Sequence, residues 1–181
     1  MPVSLPSGLF ILQEKKFLRG TGDSAMLEDA LKQIRALLQN QLPAKLDQIE
    51  LERADGVALE DVYSFHIQSW QKDGRQKYPS VNIVGEATTG TNALSRRREL
   101  RHKISVWIMD RVVSPDSELA QTRLLRYVEA MERVLALDPT LGGKVIDSTV
   151  ANHDYYFKRE DFIKRALLTL NVQEWPSTSS Y

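Results

Sequence analysis

The chain of 181 residues has no cysteine, which excludes a disulfide framework, thiolate metal ligands and a cysteine nucleophile, and suits folding in a reducing cytoplasm. It has no net charge, with 24 Lys and Arg against 24 Asp and Glu. Nothing in that balance asks for a polyanionic partner or a membrane surface, so any contact with nucleic acid must be local. Long apolar runs are missing too. The longest near the start, Gly8 to Leu12, is too short for a signal-peptide core and runs into Glu14, Lys15 and Lys16, so neither an export signal nor a membrane anchor is expected.

Catalytic signatures are equally scarce. His66, His102 and His153 each stand alone, without the spacing that puts two ring nitrogens on one metal. There is no Gly-x-Ser-x-Gly and no Gly-x-Gly-x-x-Gly. Gly142-Gly143-Lys144 follows a helical pattern and lacks the Ser or Thr of a phosphate loop, so it reads as a turn. Asp147, Asp154, Glu160 and Asp161 would suit a nuclease metal site only with a lysine placed beside them, and such density is ordinary at sheet edges and turns. The reading is of a protein that is not an enzyme, with no cofactor and no metal.

What is present is packing. At 42% hydrophobic residues the chain can fill one core. It divides into an N-terminal arm over residues 1–23, a single domain over 24–175 and a flexible tail over 176–181. The organising stretch is Leu100 to Val113, where Ile104, Val106 and Ile108 alternate with Lys103, Ser105 and Trp107, the period of a central strand with one dry face. Leu27, Ala30, Leu31, Ile34, Leu37 and Leu38 predict an amphipathic helix capped by Asp23 or Ser24, with Pro43 interrupting or restarting it and a weaker helical piece from Ala44 to Arg53 closing at Asp55 and Gly56. A strand is expected within Val57 to Gln71 and a short one around Tyr78 to Val84. After Ser114-Pro115-Asp116, Leu119, Leu124, Leu125, Val128, Met131, Val134 and Leu135 predict a second helix with two apolar contact lines, ended by Asp138 and Pro139. Strands follow over Val145 to Phe157 and Phe162 to Glu174, the last with Ala166, Leu168, Leu170 and Val172 on its dry face. Helices that cover a sheet make this an α+β protein.

Two stretches are spare in such a domain. The arm carries Leu9, Phe10, Ile11, Phe17 and Leu18 among Pro and Gly, and is either packed on its own subunit, docked on another or disordered. Glu86 to Arg98 reads as a long polar connection with Thr88, Thr89, Gly90, Thr91 and Asn92 at its tip. It leads into Arg96, Arg97, Arg98, Arg101, His102 and Lys103. That basic stem suits a nucleic-acid surface, an acidic patch on a partner subunit, or a solvated strand entry.

From about Met26 to Gln173 the chain resembles the tail-terminator, or tail-completion, proteins of long-tailed bacteriophages. The resemblance rests on MLEDALKQIRALLQNQLP, YPSVNIVGE, HKISVWIMDRVV, LLRYVEAMERVLALDPTLGGKV and the closing strand pair. It implies a mixed, mainly antiparallel β-sheet flanked by two or more α-helices. It also implies six copies closing into a homo-oligomeric ring that caps the tail tube, ends tail growth and meets the head, so that the protein is made in the host cytoplasm and resides in the virion at the head-tail junction. The implied partners are the chain itself, the tail tube protein, a head-side connector protein and DNA in the channel, with no membrane. Arg96, Arg97, Arg98, Arg101 and Lys103 would line the channel or a subunit interface, and Trp107 and Met109 would be exposed on the same account. Head-to-tail connector proteins share the arrangement and are the alternative, with a small metal-dependent nucleic-acid-processing enzyme a more distant one.

Overall fold

The computed structural model describes residues 23–67, 77–92, 98–112, 118–157 and 161–174. The elements in chain order are α1 (Asp23–Arg53), β1 (Ser64–Ile67), β2 (Ser80–Asn92), β3 (Arg98–Arg111), α2 (Glu118–Leu135), β4 (Asp147–Tyr156) and β5 (Ile163–Glu174). The strands form one sheet in the order β1-β2-β3-β5-β4. β1 runs parallel to β2 and every other pairing is antiparallel. The fold is therefore α+β, with the alternating stretch in the middle of the sheet.

Both helices pack on one face. Ile104, Val106 and Ile108 of β3 and Ala166, Leu168, Leu170 and Val172 of β5 are buried there against Leu31, Ile34 and Leu38 of α1 and Leu124, Val128 and Met131 of α2. The dry faces read from the alternation are those that are buried. The opposite face carries Lys103, Ser105 and Trp107, in register with Asn171, Thr169 and Leu167 of β5.

Two expectations need correction, and one, the second below, is met over a shorter range. Pro43 does not interrupt α1, which runs unbroken past it to Arg53. Pro43 is exposed, so the carbonyl it leaves unpaired faces water, while Leu42, Leu46 and Ile49 extend the buried stripe beyond it. Each of these contributes ~1.5–3 kcal/mol on burial, enough together to offset the ~3 kcal/mol cost of an internal proline. The helix then ends on Ala54, at φ 48, whose N–H reaches the Glu50 carbonyl at 2.9 Å, followed by Gly56 at φ 78. Secondly, the strand within Val57 to Gln71 is confined, among the described residues, to Ser64–Ile67. Val57 and Glu60 are held by α2 instead: Val57 O accepts from Arg126 at 3.3 Å, and Glu60 bonds Tyr127. Thirdly, Glu86 to Arg98 is not a long loop. β2 continues to Asn92, and Ala87 to Asn92 pair one by one with Lys103 to Arg98. Threonines that resemble turn residues are also β-branched strand formers, and here the β3 backbone supplies their ladder.

The turn after α2 is as expected. Leu141, Gly142 and Gly143 have φ of 49, 70 and 74, and the Asp138 carboxylate accepts from Gly142 N at 2.6 Å and Thr140 Oγ1 at 2.8 Å. The second contact line of α2 is not buried, because Leu119 and Leu125 are exposed. The arm residues 1–22, the Ser114-Pro115-Asp116 start signal and the tail lie outside the described residues.

Candidate functional site

The basic stem sits on the β2–β3 hairpin, and the fold separates its members. Arg96 and Arg97 lie outside the described residues. Arg98 opens β3 opposite Asn92. Arg101 and Lys103 are exposed on the face away from the helices, and each has an acid beside it: Arg101 Nε lies 2.6 Å from Glu99 Oε1, and Lys103 Nζ lies 3.1 Å from Glu86 Oε2. Glu86 is placed by the bulge between Gly85 and Ala87. The Ser105 hydroxyl, which donates to it, and then Lys103 hold its carboxyl below the usual range. Arg101 and Lys103 are thus each paired with an acid and do not make a continuous positive field.

His102 turns the other way. Its Nε2 lies 3.0 Å from Glu174 Oε2, with both side chains buried, and its Nδ1 lies 2.8 Å from Thr88 Oγ1. The hairpin is thereby tied to the end of β5. His153 meets Glu132 at 3.0 Å and Tyr155 edge-on, while His66 is half-buried on β1. The three imidazoles belong to three environments. Asp147 and Asp154 lie near opposite ends of β4, opposite Gln173 and Leu167 respectively, and Asp161 is on the chain entering β5. Among the described residues no group of three His, Asp or Glu side chains is placed to hold a metal ion.

Sequence reading missed a polar cluster at the other end of the sheet. Asp110, on the helix side of β3, is buried and faces Arg123 of α2, with Arg123 Nε 3.1 Å from Asp110 Oδ2 and Arg123 Nη2 3.6 Å from Glu60 Oε1. Burial outweighs the Arg123 charge and pushes the Asp110 carboxyl up to about 6. Burial pulls Arg123 the other way, but Asp110, Tyr127 and Glu60 together raise it. Tyr127, fully buried, has its hydroxyl raised by burial first and by Asp110 next. A single Asp at the end of an alternating strand gives no sign of this; only the crossing of α2 over β3 does.

Beside this cluster lies an open groove of about 770 Å³, lined by Glu60, Tyr63, Lys77, Tyr78, Arg111, Val112 and Phe162. Tyr63 and Phe162 are more than half exposed. Lys77 and Arg111 have no ion-pair partner among the described residues, whereas Arg53 and Arg133 are paired across the α1–α2 contact and Arg126 is paired with Asp55 just after α1. A comparison with protein-family models gives no match, and neither does one with curated proteins.

Trp107 and Met109, expected to be exposed, are not. Met109 is 5% accessible. Trp107 is half-buried, its ring 5.3 Å from that of Tyr156 across the sheet. The neighbouring strands β2 and β5 crowd a central strand on both faces, which alternation within one strand does not reveal.

Proposed function

We propose that this protein is a structural subunit of a phage tail end, a tail terminator that closes as a ring on the tail tube, halts its growth and offers the surface met by the head. It acts by assembly and not by catalysis. The observation that carries the reading is the groove at the end of the sheet. Exposed aromatics beside unpaired cations are the composition of an interface core, where Tyr, Phe and Arg anchor a partner. A closed ring needs two different patches on each subunit, one docking on the other. The groove is one such patch, and exposed Leu119 and Leu125 on α2 supply the other. The phrases that resemble tail terminators fall on α1, β2, β3, α2 with the turn after it, and the closing strands β4 and β5, and two of them carry the groove residues Tyr78, Arg111 and Val112. In the ring the hairpin with Arg96, Arg97, Arg98, Arg101 and Lys103 faces the channel or a neighbouring carboxylate.

The test is the mass in solution by light scattering, alone and with its cognate tail tube, with tube length followed by electron microscopy. A mass about six times 20.6 kDa, or tubes capped at a fixed length, is expected. Phe162→Asp should abolish capping while leaving the melting temperature unchanged. A monomer that leaves tubes unaltered at every concentration overturns the proposal, and a ring that binds head-side proteins but not the tube moves it to the connector.

A further inference from the structure

β4 is the last strand on its side of the sheet, and no strand lies beside its outer edge among the described residues. An edge strand turns half of its N–H and C=O groups outward, where another chain can pair with them, and native edges are commonly guarded by lysines or by bulges. β4 has no Lys or Arg. Its bulge, between Val150 and Asn152, comes only after Asp147, Ser148, Thr149 and Val150 have paired one by one with Gln173, Val172, Asn171 and Leu170. The stretch before the bulge is therefore a regular, unguarded edge.

A groove of about 470 Å³ runs between this stretch and the end of α2, a volume usual for binding clefts, which span ~300–1,000 Å³. Leu135 and Leu170, both buried, line it together with Ala136, Pro139 and Val150. Ser148 Oγ donates to the Pro139 carbonyl at 2.8 Å and fixes the turn after α2 against the strand. Leu137 and Ile146, the chain neighbours of Ala136 and Asp147, are exposed. The charged groups that line the groove are both acids, Glu132 and Asp147. Glu132 meets His153 at 3.0 Å, and Asp147 has no ion-pair partner among the described residues.

A strand added to this edge lies ~4.8 Å from β4 and sends alternate side chains to opposite faces. Those on the helix side, the side of Ser148 and Val150, enter the groove, which takes apolar groups. Those on the other side stand beside Asp147, which takes a cation. A second copy of β4 does not fit, because it would set two strands that carry Asp147 and Asp154 side by side, and like charges across a strand pair are unfavourable.

We propose that residues 147–150 and the groove beside them bind an extended, basic segment of a partner protein by strand addition, with apolar side chains in the groove and Lys or Arg beside Asp147 and Glu132. The site is at the opposite end of α2 from Leu119 and does not rest on the tail reading.

The probe is a short, end-capped, fluorescein-labelled peptide in which Val alternates with Lys and Arg closes the chain, followed by anisotropy with the full-length protein. One control carries Glu in place of Lys and Arg, and the other has the same composition with the alternation broken. The alternating basic peptide is expected to bind about tenfold or more tightly than either control. A136W, which fills the groove from an exposed position, and D147K should each weaken it by about tenfold at an unchanged melting temperature, and if one of them melts early the other carries the test. Failure of the basic peptide to bind, equal binding of all three peptides, or binding untouched by these substitutions overturns the proposal. A loss of mass by light scattering when A136W is introduced without peptide overturns it in favour of a second copy in the groove.

Discussion

His102 and Glu174 meet at 3.0 Å between Nε2 and Oε2, and neither side chain reaches solvent. They complete a chain of contacts that starts at the exposed hairpin residue Thr88, whose Oγ1 lies 2.8 Å from His102 Nδ1, and ends at Glu174. A hairpin strand and the last strand of the sheet are joined by two polar groups in a dry place, so the hairpin is part of the core at its base.

Removing one partner strands the other. Glu174→Leu or His102→Leu alone is expected to cost ~3–5 kcal/mol in urea unfolding, while the double change to Leu recovers most of that loss. Additive losses in the double-mutant cycle would show that the two groups do not act as a pair.

Asp110 makes stability depend on pH in the opposite direction from most carboxylates. Its pKa in the fold is raised to about 6, so on acidification the folded chain takes up this proton before the unfolded one does. The contribution is fully present below about pH 4 and is lost as pH rises through about 6, a change of ~2–3 kcal/mol. Asp110→Asn removes this slope. The melting temperature of the variant relative to the parent should rise between pH 4 and pH 7; a difference that stays flat over that range means the carboxyl titrates normally.

Tyr127 uses its one hydroxyl twice, accepting from Glu60 N at 2.9 Å and donating to Glu60 O at 2.8 Å. Tyr127→Phe leaves both backbone groups without that partner, and a loss of ~1–3 kcal/mol is expected by denaturant unfolding. An unchanged midpoint would mean water replaces the hydroxyl.

Val106 is fully buried at the centre of β3. Val106→Asp places an unpaired charge there and should abolish the cooperative melting transition, at a cost of several kcal/mol. Soluble, cooperatively melting protein would put the dry face elsewhere.

The three consecutive arginines Arg96, Arg97 and Arg98 test the stem. Arg96→Ala, Arg97→Ala and Arg98→Ala together should leave stability within ~0.5 kcal/mol of the parent, as is usual for substitutions away from a core, and should weaken ring assembly or DNA passage. Full infectivity with the triple variant would make the stem a solvated strand entry and nothing more.

Much of the fold was legible because it rests on short-range periodicity. The alternation of Ile104, Val106 and Ile108 and of Ala166, Leu168, Leu170 and Val172, the stripe from Leu27 to Leu38 and the Asp138-to-Gly143 turn are local patterns, and each appears where the residues place it. Thr88 to Asn92 escaped because polar residues on both faces carry no period, and their strand state depends on pairing with residues 98–102. Pro43 escaped because only the packing of Leu46 and Ile49 shows that the helix gains by continuing. By itself the sequence determined the α+β class, the dry faces of β3 and β5 and both covering helices, since hydrophobic period is a property of neighbours in the chain. The tertiary structure decided which polar residues meet. Asp110 with Arg123, His102 with Glu174, and Tyr63 with Phe162 at one groove are pairs separated by many residues, and such meetings are set by how helices cross strands, which no local pattern encodes.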